Sequence, residues 1–364
     1  MIINKINVRN FRCIENANLR FNDNLNIVVG NNGQGKTSLL ESIYLLAFTK
    51  SHKTSHEKEV IKTDADFCKV DGNVKFHNYD SKFVIILTKK SKKVKINEIV
   101  EKKMSEYIGN INVVMFSPED LAIIKGDPAT KRRFIDVELG QTSPLYIHDL
   151  LMYRKILKQR NELLKKIQKN EINDHVLLDV ITKQLVHYGS KILDARELFI
   201  VKLNSIIKKI HFNLTNNLEE VFIEYKKKHK NDLYEELKKR YQLDIITGST
   251  SIGPHRDEFK IYFNKQDISV YGSQGQQRTA VLSIKLSLIE FIKQSTGELP
   301  ILLLDDVFSE LDNSRLNSLV EYIKKDIQTF ITTTDVGFIR DELKKDATFF
   351  YVDNGRIKVG AENE

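Results

Sequence analysis

The chain has 364 residues, enough for two domains and a sizeable core. Its net charge of +8 and pI near 9.1 favour a polyanionic partner, and its only cysteines, Cys13 and Cys68, are too few for a disulfide framework or a zinc site and fit a reducing cytosol. No apolar run approaches the roughly 20 residues of a membrane span, and the amino terminus alternates like a strand rather than a signal peptide, so a cytoplasmic protein with no membrane partner is expected.

From Met1 to about Lys95 the pattern is strand-rich: KINVRNFR, NANLRF, NIVV, CKVDGNVKF and KFVIILT are short, β-branched and separated by turn residues. One motif interrupts them. Asn26 to Val29 ends a strand, and Gly30, Gly33 and Gly35 let the backbone from Gly30 through Asn31, Asn32 and Gln34 wrap so closely that its N–H groups converge on phosphate oxygens. Lys36 then reaches the β and γ phosphates of ATP and Thr37 offers a hydroxyl to Mg²⁺. Ser38 to Phe48 continues as an apolar helix whose positive end faces the anion. The match to G-x-x-x-x-G-K-[ST] is complete, with a strand before it and a helix after it.

A further strand, INVVMF, leads into SPEDL, where Ser117 is a good N-cap, Pro118 suits the first helical position, and a short helix should follow. The composition then changes. Between Pro144 and Pro254 there is no proline, and two long segments carry apolar residues at helical spacing without a sustained heptad. They predict an inserted helical lobe, arranged as a short antiparallel arm, after which LEEVFIEYK, QLDIITGS and EFKIYFN read as strands returning to the first domain. The expected division is an α/β head over 1–140, a mainly helical lobe over 141–245 and the rest of the head over 246–364.

Near the carboxyl end, ILLL (301–304) is a uniformly apolar strand, as a central parallel strand is, and it ends in Asp305 and Asp306. Asp305 would hold Mg²⁺, and Asp306 is placed to orient or activate a water. Upstream, Ser273, Gln274, Gly275, Gln276 and Gln277 precede an apolar helix. They read equally as a second phosphate-binding end or as a polar turn capping a core helix.

GSQGQ resembles the signature loop of ABC-type ATPases in the variant of the RecF family, and SELD after the acidic strand resembles their D-loop. The likeness extends to NFR (10–12), FSPEDL (116–121), KRRFID (131–136) and GPHRDEF (253–259). It implies an ABC/SMC-type P-loop ATPase head with an inserted helical second lobe, and an ATP site that includes Arg12. Ser273 to Gln276 would act in trans across an ATP-dependent homodimer. It further implies binding to double-stranded DNA beside single-stranded gaps, and cooperation with RecR and RecO in loading recombinase during gap repair, replication restart and SOS induction. Two departures from the wider ABC pattern, Thr334 at the switch-histidine position and Asp306 for glutamate, imply slow hydrolysis, and no glutamine marks a Q-loop near FSPEDL.

Candidate DNA contacts are Lys89, Lys90, Lys92 and Lys93 at a hairpin tip, the YKKKHK run at 225–230, and Lys131, Arg132 and Arg133, which the family motif covers. Lysines on hairpin edges also serve only to prevent strand pairing, and the basic helix start could instead brace the two lobes. The histidines show no metal-ligand spacing, and the GPHRD turn has no evident role. The competing readings are a transporter ATPase subunit, opposed by the insertion and the basic charge, and a nucleotide-dependent assembly regulator that binds no DNA.

Overall fold

Apolar residues in alternation drive the first strand, β1 (Ile2–Phe11), to bury Ile6 and Val8, and an irregularity between Ile3 and Lys5 brings Ile3 into the core with them. The computed structural model describes residues 1–54, 56–215, 219–229, 232–309, 313–323 and 327–360. Contacts divide the chain into two units, 1–120 with 281–364, and 121–280. In the first unit β1 lies between β2 (Ile14–Arg20) and β4 (Phe67–Lys75), separated in sequence by β3 (Leu25–Val29) and α1 (Lys36–Phe48). The sheet continues through β5 (Asp80–Thr88), β6 (Lys92–Ile96) and β7 (Ile99–Val100), antiparallel throughout. A short helix, α2 (Met104–Tyr107), precedes β8 (Val113–Phe116). At the SPEDL segment a 3-10 turn forms over Pro118–Leu121, and the Asp120 carboxylate, rather than Ser117, takes a backbone N–H, that of Ser117 itself.

The second unit opens with α3 (Ala122–Lys125) and α4 (Pro128–Gly140), capped by Asp127. The two long helices, α5 (Pro144–Gln168) and α6 (His175–Leu214), run antiparallel: Tyr146 on α5 meets Arg196, and Arg160 meets Thr182. Then follow β9 (Val221–Lys226), α7 (Leu233–Lys239), α8 (Tyr241–Thr247), β10 (Glu258–Phe263), β11 (Gln266–Asp267) and α9 (Ile268–Tyr271).

Two expectations change here. QLDIITGS is a helix, not a strand, because Tyr241 and Ile245, one turn apart, both pack on the cluster of Leu163, Leu164, Ile167 and Leu178. The following strand does not return to the head: β9, β10 and β11 form their own antiparallel sheet. The Asn204 side chain of α6 donates to the Ile223 carbonyl and accepts from the Ile223 N–H, both at 2.8 Å, so β9 is held to the long helix. The second unit is therefore wider in sequence than the expected 141–245 lobe, taking in α4 and the segment up to Ala280.

The next helix, α10 (Gln274–Thr296), carries residues of both units. The chain then completes the head with β12 (Ile301–Leu304), α11 (Asn313–Ile323), β13 (Thr329–Thr333), α12 (Asp341–Lys344), β14 (Ala347–Asp353) and β15 (Arg356–Gly360). The second sheet of the head has the order β15-β14-β3-β13-β12-β8, parallel except for β15. Helix α1 packs on β1, β4 and β5 of one sheet and on β8 and β13 of the other, which explains why it is apolar nearly all round.

The second unit is braced by charge in its core. Arg160 and Asp244, both fully buried, pair at 2.8 Å, and the guanidinium also donates to Thr182 and Thr250. Asp244→Ala should therefore destabilise the protein by about 3–5 kcal/mol, because it leaves a buried guanidinium uncompensated. Replacing both partners, as Arg160→Met with Asp244→Leu, should cost less than the single change. Denaturant unfolding compares the two.

Candidate nucleotide site

Three parallel strands of the head, β3, β13 and β12, lie side by side and bring their carboxyl ends together. The glycine loop leaves β3. Gly33 and Gly35 adopt φ of 79° and 115°, conformations that glycine allows. A side chain at Gly30 would meet the Val352 carbonyl oxygen at 2.4 Å, and one at Gly35 would meet Cys13 Sγ at 2.6 Å. The loop is thus clasped from outside by β14 and by the turn after β1. Gly35 is the N-cap of α1 and offers no side chain to the helix's first N–H groups, which leaves them to an external acceptor.

Lys36 is buried and curls back over the loop, its Nζ donating to the carbonyls of Gly30 (2.7 Å) and Asn31 (3.2 Å) and reaching Asn32 Oδ1 at 3.5 Å. An ammonium held by neutral carbonyls in this way is ready to exchange them for phosphate oxygens. The Thr37 hydroxyl donates to Asp305 Oδ1 at 2.9 Å. The same oxygen accepts from the Thr332 hydroxyl, also at 2.9 Å, and Thr332 Oγ1 in turn accepts the Asp306 N–H. Burial raises the Asp305 carboxyl above the ordinary carboxylate range, against the pull of the two hydroxyls. A buried carboxylate beside a threonine hydroxyl is a donor set suited to a hard divalent cation. Asp306 holds φ at 52°, a left-handed conformation that costs a non-glycine residue about 1–3 kcal/mol and is common at functional turns.

Arg12, expected in the ATP site, is engaged within the protein: its guanidinium grips Glu41 of α1 through Nη2 (2.8 Å) and Nε (3.0 Å) and donates to the Glu59 carbonyl. Burial pushes the Glu41 carboxyl up, but Arg12 and the Ser51 hydroxyl outweigh it and hold the group below its usual range. The pair anchors α1 to the segment that follows it. His52, beside Glu41, has both ring nitrogens buried without a hydrogen-bond partner among the described residues, and burial lowers its pKa.

In the second unit, Ser273 and Gln276 form a reciprocal cap: Gln276 N–H donates to Ser273 Oγ (3.2 Å) and Ser273 N–H to Gln276 Oε1 (3.0 Å). Gln277 is buried and ties the turn to the carbonyls of Ile268 and Gly272, while Ser273 and Gln274 are exposed. The capping role is thus real, and it leaves Ser273 and Gln274 exposed. Thr334 is exposed just beyond β13. Within the D-loop candidate, Glu310 to Asp312 lie outside the described residues.

The basic candidates divide. Lys92 is held by Glu57 and the Thr49 carbonyl, and Lys89 pairs with Asp66 at 3.2 Å, while Lys90 and Lys93 have no ion pair among the described residues. In the 225–230 run, Lys226, Lys227 and Lys228 each pair with a glutamate, and Lys230 lies outside the described residues. Lys131 is half-buried and its pKa lowered by that burial, Arg132 Nη1 donates to the Asp257 carbonyl, and Arg133 is exposed. No described helix is long and apolar enough to cross a membrane, and no group of three His, Cys, Asp or Glu that could hold a metal occurs among the described residues.

Residue-level reading missed Thr332, Glu41 and Cys13. Thr332 had a signal, a hydroxyl in the interior of a buried strand beside the acidic one. Thr332→Val should lower stability by about 1–3 kcal/mol by stranding the Asp306 N–H, and Thr332→Ser should restore most of it. Chemical denaturation checks both.

The RecF/RecN/SMC N terminal domain family matches residues 2–358. The chain is similar over its whole length to the DNA replication and repair protein RecF of Bacillus cereus (strain B4264), at 44% identity covering 100% of both chains. The protein of that name in Bacillus thuringiensis (strain Al Hakam) is likewise 44% identical, over 98% of each. A solved structure of the recombination mediator protein RecF-ATP in the RecFOR pathway superposes with a TM-score of 0.91 at 35% identity, covering 99% of this chain and 98% of that one. The Smc head domain of Pyrococcus furiosus, at 14% identity and a TM-score of 0.55, shares the fold over 99% of this chain and 96% of that one.

Proposed function

This chain belongs to the RecF family of DNA replication and repair proteins, and on that footing we propose that it is an ATP-gated DNA-binding protein of recombinational gap repair, replication restart and SOS induction. It binds double-stranded DNA near single-stranded gaps, closes as a homodimer on ATP, and helps load recombinase with RecR and RecO. The observation that supports this best is the contact between Thr37 and Asp305 at the carboxyl ends of the parallel strands, beside a loop whose lysine is held by neutral oxygens.

The loop from Gly30 to Ser38 cradles the phosphates, and Lys36 turns from the loop carbonyls to the β and γ oxygens. Thr37 and Asp305 are the residues that would hold Mg²⁺, which when bound neutralises charge between the β and γ phosphates. Asp306, fixed by its N–H on Thr332, orients the attacking water. With aspartate in place of glutamate and Thr334 in place of histidine, turnover is slow, and ATP serves as a clamp more than as a fuel. Arg12 acts at one remove, by positioning α1 through Glu41.

Ser273 to Gln276 serve the γ-phosphate of a partner subunit's site. The capped turn supports this, because the reciprocal bonds of Ser273 and Gln276 hold its shape while Ser273 and Gln274 stay exposed. A mixing experiment tests it. Lys36→Met should lose ATP binding, and Ser273→Arg should bind ATP yet fail to dimerise. Mixed together, they form one composite site from the intact Lys36 of one chain and the intact Ser273 of the other. Association or phosphate release should then recover to at most about half of wild type, by site counting in a two-fold dimer. No recovery at any ratio, read by sedimentation and phosphate release, would remove the trans role.

A further inference from the structure

The second unit contains a cavity of about 190 Å³ that neither the ATP site nor the signature turn accounts for. One face of α4 supplies Arg132, Arg133 and Asp136, α5 supplies Tyr153 and Arg154, α6 supplies Arg196, and the GPHRD turn supplies His255. Four guanidinium groups thus share the lining with one carboxylate. That carboxylate is already engaged: Asp136 Oδ1 accepts from Arg196 (2.7 Å) and the Tyr146 hydroxyl, and Oδ2 accepts from Arg154 (3.0 Å). Arg196 is buried and also donates to Tyr146 and the Pro254 carbonyl. Among the described residues, Arg132 donates only to a carbonyl, and Arg133 has no partner.

The rear wall is neutral and fixed. His255 Nε2 lies 3.1 Å from the Thr250 carbonyl, which can only accept, so Nε2 carries the proton and Nδ1 accepts from the Tyr153 hydroxyl at 2.7 Å. Burial drives this imidazole's pKa down to about 4, so it adds no charge at neutral pH. The cavity is left with a surplus of positive charge in rigid surroundings, and burial works against the Arg132 charge, with that of Arg196 adding to it. A bound anion would relieve both.

We propose that this cavity seats a single phosphate group of bound nucleic acid, held by Arg132, Arg133 and Arg154. Three guanidinium groups approaching from two helices match a tetrahedral oxyanion better than a planar carboxylate. The proposal rests on the DNA-binding reading and names the element of the second unit that carries it. It also gives the GPHRD turn a task, as the back of the seat. A contact of this kind is indifferent to base sequence and adds to the counterions released on binding.

The test is duplex binding by the full chain with ATP across a series of salt concentrations, for wild type and for Arg133→Gln combined with Arg154→Gln. Among the described residues Arg133 has no partner, and Asp136 keeps Tyr146 and Arg196 when Arg154 is lost, so a thermal melt should show the variant folded. The variant should bind all duplexes about 10-fold more weakly near 0.1 M salt, with the log–log salt slope shallower by about one to two. An unchanged slope in a folded variant overturns the proposal. Should wild type bind no duplex, the DNA-binding reading fails by itself, and a second arm decides the seat. In a Lys36→Met background, millimolar inorganic phosphate should raise the melting temperature of the chain with intact arginines. Free phosphate is then the ligand source if the double variant loses that shift, and no shift in either overturns the seat.

Discussion

One carboxylate oxygen, Asp305 Oδ1, accepts hydrogen bonds from Thr37 at the start of α1 and from Thr332 on β13. Three segments far apart in sequence are joined at that atom. The glycine loop must leave β3 at the right height for Thr37 to reach it, the apolar strand β12 must end at Asp305, and β13 must lie between the two strands to present Thr332. The sheet order β3-β13-β12 meets all three demands. The apolar burial of these strands builds the platform, and the shared oxygen sets where a cation and a phosphate chain can lie on it. Asp306 depends on the same centre, since its strained backbone is held by its N–H on Thr332.

The second unit solves a different problem with similar means. It inserts into the head sequence between Asp120 and Val281 and must keep two long helices and a small sheet in one arrangement. Buried ion pairs do this: Arg160 with Asp244, and Arg196 with Asp136. Such pairs add little net stability but penalise any packing that separates them, which favours a single register between the helices and the turn they hold. Part of the basic side-chain complement is engaged this way, or in surface pairs such as those of Lys226 to Lys228. Among the sequence's DNA candidates, Lys90, Lys93 and Arg133 have no ion pair among the described residues.

Much of the head was legible in the sequence because its signals are local. The glycine spacing from Gly30 to Gly35, the strand before it and the apolar helix after it dictate a phosphate loop, and ILLLDD dictates a buried strand with an acidic end. The helical lobe announced itself by its lack of proline and its helical spacing. What was not legible depends on tertiary contact. The β-branched run in QLDIITGS favours a strand by propensity, and only packing on Leu163, Leu164, Ile167 and Leu178 makes it a helix. Arg12 carries no mark in sequence that says it will grip Glu41, and Lys92 looks like its lysine neighbours until Glu57 is placed beside it. The return of the chain after α6 was misplaced because strand patterning does not say which sheet a strand joins.

The central claim is that ATP, bound at the centre built on Asp305, governs the hold of this protein on DNA. Duplex titration at physiological salt, with and without ATP, addresses it most directly. Binding should strengthen with ATP and weaken steeply as salt rises. Duplex affinity that is the same in the presence and absence of saturating ATP would contradict it.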